Sequence, residues 1–546
     1  MTSHWTPPFA ARIIAPSRPG RPMAHPTPSQ FQQEFGARIN RGDVSGAAAT
    51  AAGCRAAWPH DGTGWLLGSI AALLEDRRES ALALVEERLS AAPNDGQCLL
   101  QKAECLLALG DRVAAIAAAE AAGANTDQPA ALDAVGEYLA HAGEYDRGLA
   151  IYDRAIRAAP EDALLLAKRA DVHRILGHFD LAGADYQAVL AINPTAAKAL
   201  KGTAELRRQS PERNSVAAMQ AALAAAPPGS TDAAILHFGL AKSHEDLGEY
   251  GDCWAHLTAG NRLERARIQY DPRVDRGVID QVIAQFGAIE PGQPDATGER
   301  PIFIVGLPRS GSTLLERILG CHSMVDASGE ITAFPESIDA AVARAGHPPR
   351  LDMDRYVAAQ TALDGWTVAE EYLARTRARR GNRPRFTDKL LTNFLYCAMI
   401  LRAFPKAHIL HVTRHPLAAC HAIYRTRFAG TYPFAYDLAE IGEFYIGYRM
   451  LMAHWHRVLP GRLLDVSYEN IVTSLEATTR RILDHIGLDF EPACLEFHRN
   501  PDPVTTTSLV QVRRPIYDSS LDGWQRHSAE LAGLRARLEA AGIPID

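Results

Sequence analysis

The sequence predicts an all-α superhelical repeat domain followed by an α/β domain with a P-loop-like parallel sheet. Three observations carry that expectation. The first half repeats itself with a period near 34 residues, residues 301–322 read as strand, tight loop and helix, and residues 407–414 read as a second buried strand ending in arginine. At 546 residues the chain is too long for one core and suggests roughly two to four domains.

Composition narrows the function classes. The net charge of −7 gives no global basic excess, so nucleic acid is not an expected partner. Eight cysteines lie scattered without a CxxC pair, which favours reduced thiols and a cytoplasmic location. No apolar run approaches the ~18 residues a membrane helix needs, so no membrane span is expected. Residues 1–30 are rich in proline and lack the apolar centre of a signal peptide, and they are expected to form a disordered leader, with Met23 as an alternative start.

The repeat region is predicted over residues 31–270. Pro160, Pro194 and Pro228 are spaced by 34, and Gly110, Gly143 and Gly177 by 33 and 34. A fixed period of this length marks stacked helix-turn-helix units. In the clearest unit Leu132, Gly136 and Leu139 share one helix face, Gly143-Glu144-Tyr145 makes the turn, and Gly148, Tyr152 and Ala155 line the second helix. Small Gly136 and Ala155 let the helices approach, and Tyr152 fills the space between units. This stretch resembles the tetratricopeptide repeat family. The resemblance implies a concave face that binds a peptide or a protein partner. A connecting segment and Pro/Gly linker are expected at 271–300, and the α/β domain at 301–546.

Residues 301–307, PIFIVGL, read as an apolar strand, 308–313, PRSGST, as a tight loop, and LLERILGCH as a helix. Such a unit cradles phosphate, because backbone N–H groups and the positive end of the helix dipole face the anion. Arg309 adds a fork of charged donors, Gly311 allows close approach, and Ser310, Ser312 and Thr313 add hydroxyls. No Lys precedes the Ser-Thr pair and GxxxxGK[ST] is absent, which argues against an ATP or GTP hydrolase. Arg414 follows the strand AHILHVT and precedes Pro416, a residue suited to a first helical turn.

The segment GLPRSGSTLLERIL resembles the 5′-phosphosulfate loop of sulfotransferases, in the Arg form found in tyrosylprotein sulfotransferases and in bacterial members linked to repeats. That resemblance implies 3′-phosphoadenylyl sulfate as co-substrate. It also implies that Arg309, Ser310, Gly311, Ser312 and Thr313 hold its 5′ end and that Arg414 holds its 3′-phosphate. Glu330 in SGEIT, 21 residues after Arg309, matches the family's catalytic base. Lys389 in FTDKLLTNF, 25 residues before Arg414, matches the lysine that steadies the transferring group. Ser508 and Arg514 in SLVQVRRPIY and Tyr468 in DVSYENIV match further contacts to the reacting group and nucleotide.

One departure stands out. Eight residues after Arg414 the family carries Ser, and here stands Ala422, so His421, Cys420 or water substitutes or the 3′-phosphate is held more weakly. Glu330 leaves a small-residue turn beside Ile331 and Phe334, and its carboxylate is expected to be partly desolvated. The acceptor is expected to be a hydroxyl on a peptide, protein, sugar or small compound, with protein tyrosine favoured by the resemblance. No HExxH or paired Cys/His spacing occurs, and no metal is expected. Two alternatives stay open: a repeat scaffold with a degenerate nucleotide site, and a nucleotide-dependent phosphotransferase.

Overall fold

The structure, a computed structural model, describes residues 26–287, 298–347, 352–506, 509–516 and 521–545. The chain divides into two compact units, Met1–Val172 and His173–Asp546. Most of the expected leader lies outside the described residues. Its last residues are nevertheless helical, because helix Pro28–Asn40 starts within it. Thr27 accepts a hydrogen bond from Gln30 N while the Gln30 side chain accepts one from Thr27 N, and Pro28 fills the first helical position.

The first unit is a run of antiparallel helix pairs, and its repeat chemistry follows the sequence pattern. Helices Pro129–His141 and Tyr145–Ala158 flank Gly143, whose φ of +80° lets the chain turn between them. A Cβ on Gly136 would stand 3.0 Å from the Tyr152 ring. That contact is tight enough that a side chain at 136 would press the Tyr152 ring aside, and Tyr152 and Ala155 are buried there. The four-residue interval Leu132, Gly136 and the adjacent Leu139 give the buried stripe.

The second unit contains later helix pairs and a five-stranded sheet in the order β2-β3-β1-β4-β5. The strands are β1 Ile302–Gly306, β2 Val325–Asp326, β3 Arg385–Asp388, β4 His408–Thr413 and β5 Leu463–Ser467. All pairings are parallel, with Ile304 opposite Leu410 and Val412 opposite Val466. β1 and the middle of β4 read as apolar runs because both faces of the sheet are covered there. Ile302, Ile304, Leu410 and Val412 pack on helices Ser312–Gly320 and Leu475–Ile486. Phe303, Val305 and Ile409 face the opposite way, into a core that includes Phe334, Tyr372 and Trp455.

The boundary expected at 271–300 does not coincide with the division between units. Residues 288–297 lie outside the described residues. The expected connecting segment is largely helix Pro272–Gln285, capped by Asp271. Ile279, Val282 and Phe286 enter the same core as Phe303, together with Phe238 and Leu257 from the preceding helix pair. Polar contacts agree: Asn261 donates to the Tyr424 carbonyl at 2.9 Å, and Arg265 forks onto Glu440 with two 2.7 Å bonds. The last repeat-type helices therefore belong physically to the core beneath the sheet.

Candidate active site

The candidate residues gather where the strands end. β1 leads into the PRSGS loop, β2 ends four residues before Glu330, and β3, β4 and β5 end immediately before Lys389, Arg414 and Tyr468. In an open parallel sheet ligands bind outside the carboxyl ends of strands, where the strand order reverses. Here the chain moves from β1 to one side and then returns to the other at β4, so the reversal lies between the two strands that carry Arg309 and Arg414.

The loop conformation explains its composition. Gly311 has φ +104°, and a Cβ there would stand 2.4 Å from Tyr468 Cδ2. Arg309 itself has φ +65°. Its guanidinium donates to Gln511 Oε1 at 2.9 Å, and its carbonyl accepts from Arg414 Nη1 at 2.8 Å. The Arg414 guanidinium lies 4.6 Å from the Tyr468 ring centre, a cation–π contact that orients it. Helix Ser312–Gly320 starts at Gly311 with no side-chain cap, which leaves its first N–H groups directed at the loop.

A cavity of about 420 Å³ opens over this loop, within the ~300–1,000 Å³ usual for ligand sites. Arg309, Arg414, Arg427 and Arg514 border it, and Glu330 is the one carboxylate among its described lining residues. Gly311, Ser312, Thr313 and Tyr468 also border it. The charge balance suits a polyanion. Ser310 behaves differently from the expectation: it is 1% exposed and its hydroxyl donates to the Leu307 carbonyl at 2.7 Å, so it braces the loop from within. Ser508 lies outside the described residues.

Lys389 and Glu330 come together. Lys389 is 1% exposed, and its Nζ donates to Glu330 Oε1 at 2.8 Å with Glu316 Oε2 at 3.9 Å. The desolvated setting expected for Glu330 is not found, because its side chain is 45% exposed and faces Lys389. The apolar neighbours in sequence, Ile331 and Phe334, turn into the core instead. Glu316 was not singled out in the sequence, where it reads as an ordinary helix former. It accepts from Gly329 N at 3.0 Å and Thr387 Oγ1 at 2.9 Å, and so ties the Glu330 turn to β3. Behind Lys389, burial and the Glu316 charge push Asp388 up to about 7, while bonds from Leu390 N and the Tyr372 hydroxyl work in the other direction.

The replacement at Ala422 is not offset by its chain neighbours at the cavity border among the described residues. Neither Cys420, His421 nor Ala422 borders the cavity. His421 is buried, and burial with the charges of His527 and Arg414 pushes it down to about 3. Thr426 donates to the Ala422 carbonyl at 2.8 Å, and Arg425 pairs with Glu245. Arg427 does reach the cavity border, held at 2.8 Å by Glu264.

These features make a candidate anion cradle at the carboxyl end of a parallel sheet. Residues 301–492 match the sulfotransferase family, and the C-terminal half carries a sulfotransferase-family domain. An uncharacterized protein of Aquifex aeolicus is 34% identical over 303 residues, covering 54% of this chain, and the chain spans 40% of that relative's own length. A putative protein-tyrosine sulfotransferase of Caenorhabditis briggsae is 25% identical over 41% of this chain and 81% of its own. Among solved structures, the sulfotransferase domain of the Synechococcus PCC 7002 olefin synthase is 22% identical with a TM-score of 0.32, covering 43% of this chain and 90% of its own.

Proposed function

We propose that the domain beginning at residue 301 transfers a sulfuryl group from 3′-phosphoadenylyl sulfate to a hydroxyl acceptor, with a peptide tyrosine as the favoured class. The observation that carries this reading is the 2.8 Å Lys389–Glu330 pair, whose Glu330 borders a cavity shared with four arginines. Arg309 and the uncapped helix start would hold the 5′-phosphosulfate, and Arg414, stacked on Tyr468, the 3′-phosphate. The glycine cradle fits such a group, since any side chain at 311 would collide with Tyr468.

In the proposed reaction the acceptor oxygen forms a bond to sulfur as the bond from sulfur to the 5′-phosphate oxygen breaks. Adenosine 3′,5′-bisphosphate leaves, and the acceptor proton passes to the Glu330 carboxylate. Lys389 offsets negative charge spreading over the transferring group, in the way preorganised cations act in phosphoryl transfer. Ser508 and Arg514 are proposed to add donors to the leaving phosphate. Tyr432 also borders the cavity, and burial with the Glu330 charge raises its phenol, keeping it neutral beside the base. The protein-tyrosine sulfotransferase relative and the repeat array both support a peptide acceptor. The eight cysteines, all free and seven of them buried, support a reducing compartment; no described helix is long and apolar enough to cross a membrane.

Calorimetric titration of the full chain with adenosine 3′,5′-bisphosphate, beside ADP, tests the donor assignment. Stoichiometric binding of the bisphosphate with at least tenfold preference over ADP is expected, as a 3′-phosphate adds charge-assisted hydrogen bonds of ~1.5–3 kcal/mol. Equal affinity for both would remove the 3′-phosphate role from Arg414 and favour a phosphotransferase.

A further inference from the structure

A second constellation stands apart from the cavity, on the sheet face that carries helix Leu438–Val458. His411 on β4 lies directly opposite Asp465 on β5, and His456 sits in the last turn of that helix. His411 Nδ1 is 2.7 Å and His456 Nε2 3.0 Å from the same atom, Asp465 Oδ1. The three candidate ligand atoms lie within 4.8 Å of one another. None of the three residues borders the cavity.

We propose that His411, His456 and Asp465 form a binding site for one zinc-class divalent metal ion. Two imidazole nitrogens and one carboxylate oxygen are donors preferred by zinc and its neighbours, and poorly suited to magnesium or calcium. In a tetrahedral zinc site with bonds near 2.0–2.1 Å, ligand atoms stand about 3.3 Å apart. The two histidine–carboxylate separations, 2.7 and 3.0 Å, fall a few tenths of an ångström short of that value, so small side-chain movements would open the site to an ion. The outer contacts are also those of a metal site. The Tyr448 hydroxyl is hydrogen-bonded to His411 Nε2, which fixes the ring and turns Nδ1 towards Asp465.

An ordinary ion pair would use one histidine; here two converge on a single carboxylate oxygen from different elements. Access is available, because His456 and Asp465 are 40% and 52% exposed while His411 is buried. The exposed side leaves a fourth position for water. Arg481 donates to the Asp465 carbonyl at 2.9 Å, and Arg449 lies close enough to act on His411. The ion would pin β4, β5 and the helix end together three residues before Arg414, and so would act on stability and not on sulfuryl transfer.

The test uses the full chain without a histidine tag, stripped with chelator and titrated with Zn²⁺ by calorimetry and with Co²⁺ by visible absorption. One equivalent bound at this site, with the intense visible bands of low-coordinate cobalt, is expected. His456→Ala and Asp465→Asn should each lose that equivalent and those bands. His456 is exposed enough that its variant should keep the wild-type circular dichroism spectrum, which separates loss of a ligand from misfolding. Unchanged stoichiometry and cobalt bands in a folded His456→Ala protein would overturn the assignment, as would the absence of saturable Zn²⁺ binding to the wild type.

Discussion

Arg309 occupies a left-handed backbone conformation, φ +65°, and reaches Gln511 across the closing C-terminal segment. A charged fork held this way serves two purposes, anchoring that segment and meeting an anion in the cavity. Arg309→Ala should therefore weaken adenosine 3′,5′-bisphosphate binding by about 1.5–3 kcal/mol, roughly ten- to a hundredfold. Calorimetric titration checks this, and unchanged affinity would remove Arg309 from the site. Motif and spacing single out Arg309 and Arg414 beside apolar strand runs, and Glu330 and Lys389 by the separations of 21 and 25 residues that the family resemblance gives; the structure places all four beyond the carboxyl ends of the strands. Glu316, Gln511 and the inward bond of Ser310 were not legible, since they depend on which way a side chain turns after the loop closes. The exposure of Glu330 was misjudged for the same reason: apolar sequence neighbours pointed into the core and left the carboxylate outside.

At the level of elements, the phosphate loop depends on one backbone position. Gly311→Ala would place a Cβ 2.4 Å from Tyr468 at φ +104°. The conformation costs at least about 1–2 kcal/mol for a residue with a Cβ, and relief of the clash must move Tyr468 away from Arg414. Loss of bisphosphate binding together with a lower urea midpoint is expected; wild-type values for both would show that the loop relaxes without consequence. Helix and strand elements carry a second expectation. Burial, followed by neighbouring positive charge, pushes His256 and His408 down to about 4 and His421 to about 3, from an ordinary 6.5. The stability that these three histidines contribute is whole above pH 6.5, whereas Asp388, raised to about 7, contributes in the opposite direction. The histidine contribution falls as pH drops from 6.5 towards 4, because the unfolded chain takes up protons that the folded chain refuses. Chemical denaturation should show it as a stability difference between the wild type and His408→Gln that shifts against the wild type as pH falls from 7.5 to 5, with no comparable shift between 7.5 and 8.5.

Across the whole molecule, the 34-residue period and the change of texture at 301 announced two architectures. They did not announce where the second core begins. Apolar residues on helices Thr231–Leu247, Tyr250–Arg265 and Pro272–Gln285 look like further repeat faces in sequence, yet Phe238, Leu257, Ile279 and Phe286 pack with Phe303. A chain beginning near residue 290 loses these side chains, each worth about 1.5–3 kcal/mol when fully buried. It should fail to unfold cooperatively, whereas a chain beginning at Ala163, at the start of helix Ala163–Leu176, should fold and bind the bisphosphate. Comparison of the two by calorimetric melting decides the matter, and a cooperative transition from the shorter chain would mean the sheet is self-sufficient.

Sulfuryl transfer by the full chain is the most direct measurement of all. With ³⁵S-labelled 3′-phosphoadenylyl sulfate and a cell extract or tyrosine-containing peptides, the wild type should release adenosine 3′,5′-bisphosphate and label an acceptor. Glu330→Gln keeps the size and a hydrogen-bonding oxygen beside Lys389 but cannot take the acceptor proton, so its turnover should fall by about 10²–10⁴-fold while bisphosphate affinity is retained. Full turnover in Glu330→Gln, or a wild type that binds the donor and labels nothing across these acceptors, would contradict the assignment of Glu330 and Lys389 as the centre of a sulfotransferase site.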